Sequence, residues 1–90
     1  MEIAYKPCAE EDIKFFKKSG DVVIQRKISK LLFEMELHPE TGTGKPEKLK
    51  ADLSNYWSRR INLKHRIVYT IDYEKQLVEV YSLRDHYDDK

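Results

Sequence analysis

Only one cysteine, Cys8, occurs in these 90 residues, so no internal disulfide framework can hold the fold. No stretch approaches the roughly 18 consecutive apolar residues that a membrane span needs. No basic-then-apolar segment of the kind that directs secretion follows Met1. Repeats and low-complexity tracts are missing. The single Gly-x-Gly, Gly42 to Gly44, lacks the helix pattern that would let it cradle a nucleotide phosphate. Cys8, His38, His65 and His86 show neither HxxxH nor CxxC spacing, which argues against a metal site or a metal cofactor. What is present is 40% hydrophobic and 37% charged, enough apolar side chain for a modest core beneath a very polar surface. The expectation is one domain, residues 1–90, soluble and cytoplasmic, with no membrane partner and no cofactor.

A net charge of +1 says nothing about partners, but its distribution does. Residues 1–40 carry 7 basic and 8 acidic side chains, a net of −1. Residues 41–70 carry 7 and 2, a net of +5, and residues 71–90 carry 3 and 6, a net of −3. A basic stripe confined to one third of a chain is the usual electrostatic footprint of a phosphate partner, although a solvated basic face produces the same count.

Periodicity predicts the elements. Residues 2–5 alternate weakly, as a short first strand does, and Pro7 suits the start of a helix. Ala9, Ile13 and Phe16 recur at helical spacing, and Ser19-Gly20 stops that helix. Asp21 caps the next, in which Ile24, Ile28, Leu31, Leu32 and Met35 form one apolar stripe up to His38-Pro39. Helices are therefore expected over about 8–18 and 22–37, and strands over 56–62, 65–71 and 77–83. The order β-α-α-β-β-β predicts an α+β layer with a helical hairpin on one face of a mostly antiparallel sheet. On the second of these later strands Arg66, Val68 and Thr70 face away from Ile67, Tyr69 and Ile71. On the last, Val78, Val80 and Ser82 are expected opposite Leu77, Glu79, Tyr81 and Leu83.

The basic third and the C-terminus hold what metal-free cleavage of RNA requires: a base for the 2′-hydroxyl, cations for the phosphate, and an acid for the departing 5′-oxygen. Glu47 is the candidate base, set beside Pro46 among Lys45, Lys48 and Lys50. Arg66 is the candidate phosphate clamp, because a guanidinium fork matches two phosphate oxygens. Arg59 and Arg60 point to opposite faces, so one of them joins Arg66, and Arg60 is favoured. His86 is a candidate proton donor through the near-neutral intrinsic pKa that it shares with the other histidines. Tyr87 offers a hydroxyl or a stacking ring, and Arg84, Lys45 and Lys50 add positive charge. Each also has a plainer reading: a loop glutamate in surface ion pairs, a solvated strand arginine, a frayed terminal histidine. Trp57 reads as core packing ahead of base stacking, and His65 as structural.

The string KPEKLKADLSNYWSRRINLKHRIVYTI, answered by His86-Tyr87, resembles the second half of YoeB-type toxins, within the RelE superfamily of bacterial type II toxin–antitoxin systems. The likeness is close from Gly42 to Tyr87 and a pattern match before that. It implies a RelE-like microbial RNase fold, with the catalytic glutamate of the K-P-E-x-L-K motif at Glu47 and the family's closing pair at His86 and Tyr87. It also implies ribosome-dependent cutting of mRNA in the A-site codon, inhibition of translation, and a cognate antitoxin protein that masks the site. Whether the chain forms a homodimer is left open. ParE-type toxins share the fold, act on DNA gyrase and lack the glutamate–arginine–histidine set. The alternative is thus a toxin of this fold that inhibits gyrase or binds ribosomes without cleaving RNA. The chain departs from the family's pattern in flanking His86-Tyr87 with Asp85, Asp88 and Asp89, carboxylates that favour an imidazolium but repel phosphate.

Overall fold

Both helices form where their capping residues and apolar spacing direct. A computed structural model of the chain describes residues 1–49 and 55–84. Strand β1 (Glu2–Tyr5) leads into helix α1 (Pro7–Lys18), with Pro7 at the start, where the missing N–H costs nothing. At its end the Ser19 hydroxyl donates to the Phe16 carbonyl at 2.6 Å. Helix α2 (Val22–Leu37) follows, and the Asp21 carboxylate accepts from the Ile24 N–H at 3.1 Å, the cap anticipated for it. Ile28, Leu31 and Met35 of α2 are buried, while Ile24 and Leu32 are half-buried against the same core.

Among the described residues four further strands follow: β2 (Glu47–Lys48), β3 (Trp57–Arg60), β4 (Arg66–Asp72) and β5 (Leu77–Ser82). They form one sheet in the order β1-β5-β4-β3-β2. The pairings from β2 to β5 are antiparallel, and β1 runs parallel to β5. The expected α+β order is thus present, with one strand more than the periodicity revealed. Two residues are too short for any period, so β2 is made visible only by its partner. The strand expected over 56–62 is shorter, Trp57–Arg60, because residues 61–64 turn back toward β4.

The core lies between the helices and one face of the sheet. Ile67, Tyr69, Val78 and Val80 pack there against Ala9, Phe16, Leu31 and Met35, with Trp57 half-buried beside them. Leu83 belongs to this core too, whereas strict alternation placed it opposite Val78 and Val80. The reason is a bulge: Tyr69 pairs with Val80 but Val68 pairs with Ser82, so Tyr81 is an extra residue and the parity of the strand flips after it.

Candidate active site

Glu47 owes its position to β2, and β2 owes its position to the loop before it. That loop, residues 38–46, is tied down by a buried cation. Arg59 on β3 points into the core side of the sheet and its side chain is fully buried. Its Nη2 donates to the His38 carbonyl at 2.9 Å and to the Thr41 carbonyl at 2.8 Å, and its Nη1 lies 3.5 Å from the Glu34 carboxylate. Glu34 in turn accepts from the Thr43 N–H at 2.8 Å and the Thr43 hydroxyl at 3.0 Å. The Thr43 N–H, opposed by burial and helped by the Thr43 hydroxyl, Lys30 and Arg59, holds the Glu34 carboxyl below the usual carboxylate range. The Tyr69 hydroxyl donates to the Pro39 carbonyl at 2.7 Å, and burial pushes its pKa up, which keeps it a neutral donor.

The loop then docks against β3 through Gly44. Its carbonyl accepts from the Arg60 N–H at 2.7 Å, and a Cβ there would stand 2.7 Å from Arg59 Cγ and 2.8 Å from the Arg60 oxygen. With φ at +90°, glycine is the residue that fits. Lys45 follows in the left-handed region at φ 50°, a conformation that a lysine adopts only at a cost. Two residues later Glu47 pairs with Ser58 across the β2–β3 ladder, and Leu49 extends it by donating to the Tyr56 carbonyl at 2.9 Å.

On the helix-free face this geometry gathers Gly44, Lys45, Glu47, Ser58, Arg60 and Arg66 around one narrow cleft of about 10 Å³. Arg60 stands directly across from Arg66 in the β3–β4 ladder, and Ser58, two residues from Arg60, shares its face. Residues so opposed have Cβ atoms roughly 5 Å apart, and two like charges there destabilise the ladder. The cleft volume admits about one water-sized group, so it suits a single phosphate oxygen, with the rest of a phosphodiester at the mouth beside exposed Glu47 and Lys45.

The structure thus brings Glu47, Arg66, Arg60 and Lys45 together and separates Arg59 from Arg60. Arg84 is held elsewhere. Its Nε lies 2.8 Å from the Asp12 carboxylate, and its guanidinium carbon stacks 4.2 Å from the Phe15 ring centroid. His86, Tyr87 and Lys50 lie outside the described residues. His65 meets the Phe16 ring edge-on at 5.2 Å, a packing role. Among the described residues no group of three His, Cys, Asp or Glu side chains is placed to hold a metal ion. Nor is any helix there long and apolar enough to cross a membrane.

Sequence reasoning missed the roles of four residues. Ser58 lines the cleft while almost wholly buried, and its spacing from Arg60 was the available signal. Alternation set Arg59 opposite Arg60, but nothing local says that it is fully buried and tied to Glu34 and two loop carbonyls. Asp12, an acidic residue near the start of α1, is fully buried. It accepts from the Leu83 N–H at 2.8 Å, the Arg84 N–H at 3.2 Å and Arg84 Nε at 2.8 Å. It therefore anchors the chain two residues before His86, a link between residues 71 apart that no sequence pattern announces.

The family described as the YoeB-like toxin of bacterial type II toxin–antitoxin systems matches residues 5–87. Toxin YoeB of Synechocystis is 42% identical over 87 residues, covering 97% of this chain and 98% of that protein. Two structures from Staphylococcus aureus are each 41% identical and cover 97% of this chain and 98% of theirs. They are the heterotetrameric YoeB–YefM toxin–antitoxin complex, with a TM-score of 0.82, and the YoeB dimer, with 0.83. Matched by the family over residues 5–87 and by a relative 42% identical across 97% of its length, this chain belongs to the YoeB-like toxin family of bacterial type II toxin–antitoxin systems.

Proposed function

We propose that the chain is an endoribonuclease toxin, an mRNA interferase that cuts within the A-site codon on the ribosome and so inhibits translation. The observation that carries this reading is the gathering of one carboxylate, Glu47, with Lys45, Arg60 and Arg66 at a single cleft. Glu47 takes the proton of the substrate's 2′-hydroxyl, whose oxygen then attacks the adjacent phosphorus. Arg66 and Arg60, with Lys45 and Lys50, hold the two negative oxygens as charge builds, the stage at which preorganised cations contribute most. As the P–O5′ bond breaks, His86 gives a proton to the leaving oxygen, and Tyr87 bonds the phosphate or stacks on a base. The products are a 2′,3′-cyclic phosphate and a 5′-hydroxyl, and every step named uses side chains alone.

Arg84 acts at one remove in this scheme, by fastening the segment that leads to His86. A YefM-type antitoxin is the protein partner, by analogy with the Staphylococcus aureus complex, and self-association follows the analogous dimer. Primer extension on an mRNA during translation tests the activity: cuts within codons should appear with the intact chain and vanish with Glu47→Gln. End-group analysis tests the chemistry. A 3′-hydroxyl product, or efficient cutting of a substrate with a single 2′-deoxy at the scission site, would overturn it.

A further inference from the structure

A second, much larger concavity adjoins the cleft. It measures about 540 Å³ and lies between the start of α2 and the turn after β3. Gly44, Lys45 and Arg60 line both spaces, so the two are immediate neighbours. Beyond them the groove has an apolar wall of Val23, Ile24 and Leu63, of which Leu63 is 98% and Val23 78% exposed. Three cations, Lys27, Lys45 and Arg60, border it against one carboxylate, Asp21. Its volume falls within the roughly 300–1,000 Å³ typical of sites for small ligands, whereas the neighbouring cleft has room for an oxygen and no more.

We infer that this groove is a nucleotide subsite, taking the nucleoside next to the phosphate bound at the Glu47 cleft. The inference rests on the nuclease reading and extends it to how the strand is held. The shared lysine and arginine give the backbone a continuous cationic path from one space to the next, which is how single strands are tracked. The base lies against Val23, Ile24 and Leu63, and the Arg60 guanidinium offers a plane on which it stacks. Two polar groups are available to its edge. Asn62 Oδ1 is spent on the N–H groups of Lys64 at 2.9 Å and His65 at 2.7 Å, which leaves its amide Nδ2 as the remaining donor. Asp21 Oδ1 caps Ile24, which leaves Oδ2 as an acceptor. One donor and one acceptor lining the same groove, with an apolar wall, is the chemistry that reads a base edge.

The test uses the full chain and an uncleavable 2′-O-methyl trinucleotide, followed by amide NMR, with inorganic phosphate as the comparison. Phosphate should move signals of cleft residues such as Glu47, Ser58 and Arg66 and leave Val23, Ile24 and Leu63 unmoved, whereas the trinucleotide should move both sets. Leu63→Asp, at an exposed position, should weaken trinucleotide binding about tenfold, the loss of a leucine's apolar contact, and leave phosphate binding within about twofold. Lys27→Glu should act in the same direction. Trinucleotide shifts confined to the cleft, or an affinity indifferent to both substitutions, would overturn the subsite and leave the phosphate site standing. No shift at the cleft with either ligand would overturn the phosphate reading, and the subsite with it.

Discussion

Replacing Asp12 with alanine should be the most damaging single change to a charged side chain in α1, although Asp12 lies on a different element from every cleft residue. The carboxylate is fully buried and accepts from two backbone N–H groups and one guanidinium N–H of the Leu83–Arg84 segment. In the alanine variant the buried Leu83 N–H loses its acceptor, which costs about 1–3 kcal/mol. The Arg84 side chain is 31% exposed and can regain water, so its share of the ion pair is worth less than about 1 kcal/mol. Relief of the buried carboxylate's desolvation works in the opposite direction, which keeps the total below the ~3–5 kcal/mol typical of a broken, fully buried pair. The expected loss is about 2–3 kcal/mol. Urea unfolding should show it as a lower midpoint at unchanged slope. Asp12→Asn should lose a comparable amount, because its amide group turns a donor toward donors. At a temperature where the variant stays folded, RNA cleavage should fall more than RNA binding, since the anchor precedes His86 by two residues. A loss under about 0.5 kcal/mol, with cleavage intact, would refute the anchoring argument.

Other perturbations address the core, the loop and the chemistry. Leu31→Ala removes a fully buried side chain from the helix–sheet interface and should cost about 2–5 kcal/mol in the same assay. Glu34→Gln should reveal the depressed carboxyl: its folded value lies below its unfolded one. The stability that Glu34 contributes is therefore whole above about pH 4.3 and fades as pH falls through the lower folded value. Unfolding curves of the two proteins should diverge near neutrality and converge in acid. Gly44→Ala should destabilise the chain and reduce cleavage together, because the added methyl meets Arg59 and the Arg60 backbone while the loop positions Glu47. Glu47→Gln and His86→Gln should each slow single-turnover cleavage by about 10²–10⁴-fold with little effect on ribosome binding. Arg66→Ala should be at least as harmful, and EDTA added to the purified protein should not abolish its intrinsic chemistry. Equal losses in binding and cleavage would assign these residues to docking instead of chemistry.

Much of this protein was written along the chain itself. Helix α2 is announced by Asp21, by an apolar side chain every third or fourth residue, and by Pro39 beyond its end. Each of these acts within a few residues, so each can be read without knowing the fold. The same holds for the two faces of β4, and hence for Arg66 lying opposite Ile67 and Tyr69, and for Arg60 parting from Arg59. The K-P-E-x-L-K run marked Glu47 by resemblance. What the tertiary structure alone decided is everything that depends on a partner distant in sequence. Strand β2 exists because residues 47 and 48 meet β3. The sheet is mixed because β1 joins the outer edge of β5. Leu83 turns inward because one extra residue, Tyr81, shifts the register. Arg59 and Asp12 are charged groups that local chemistry assigns to water. They are buried because carbonyls and a carboxylate await the one, and two N–H groups and a guanidinium the other, on elements that folding brings up. Local sequence governs backbone periodicity. Hydrogen bonds between remote segments determine whether a charge is left in solvent or used to hold the candidate site in place.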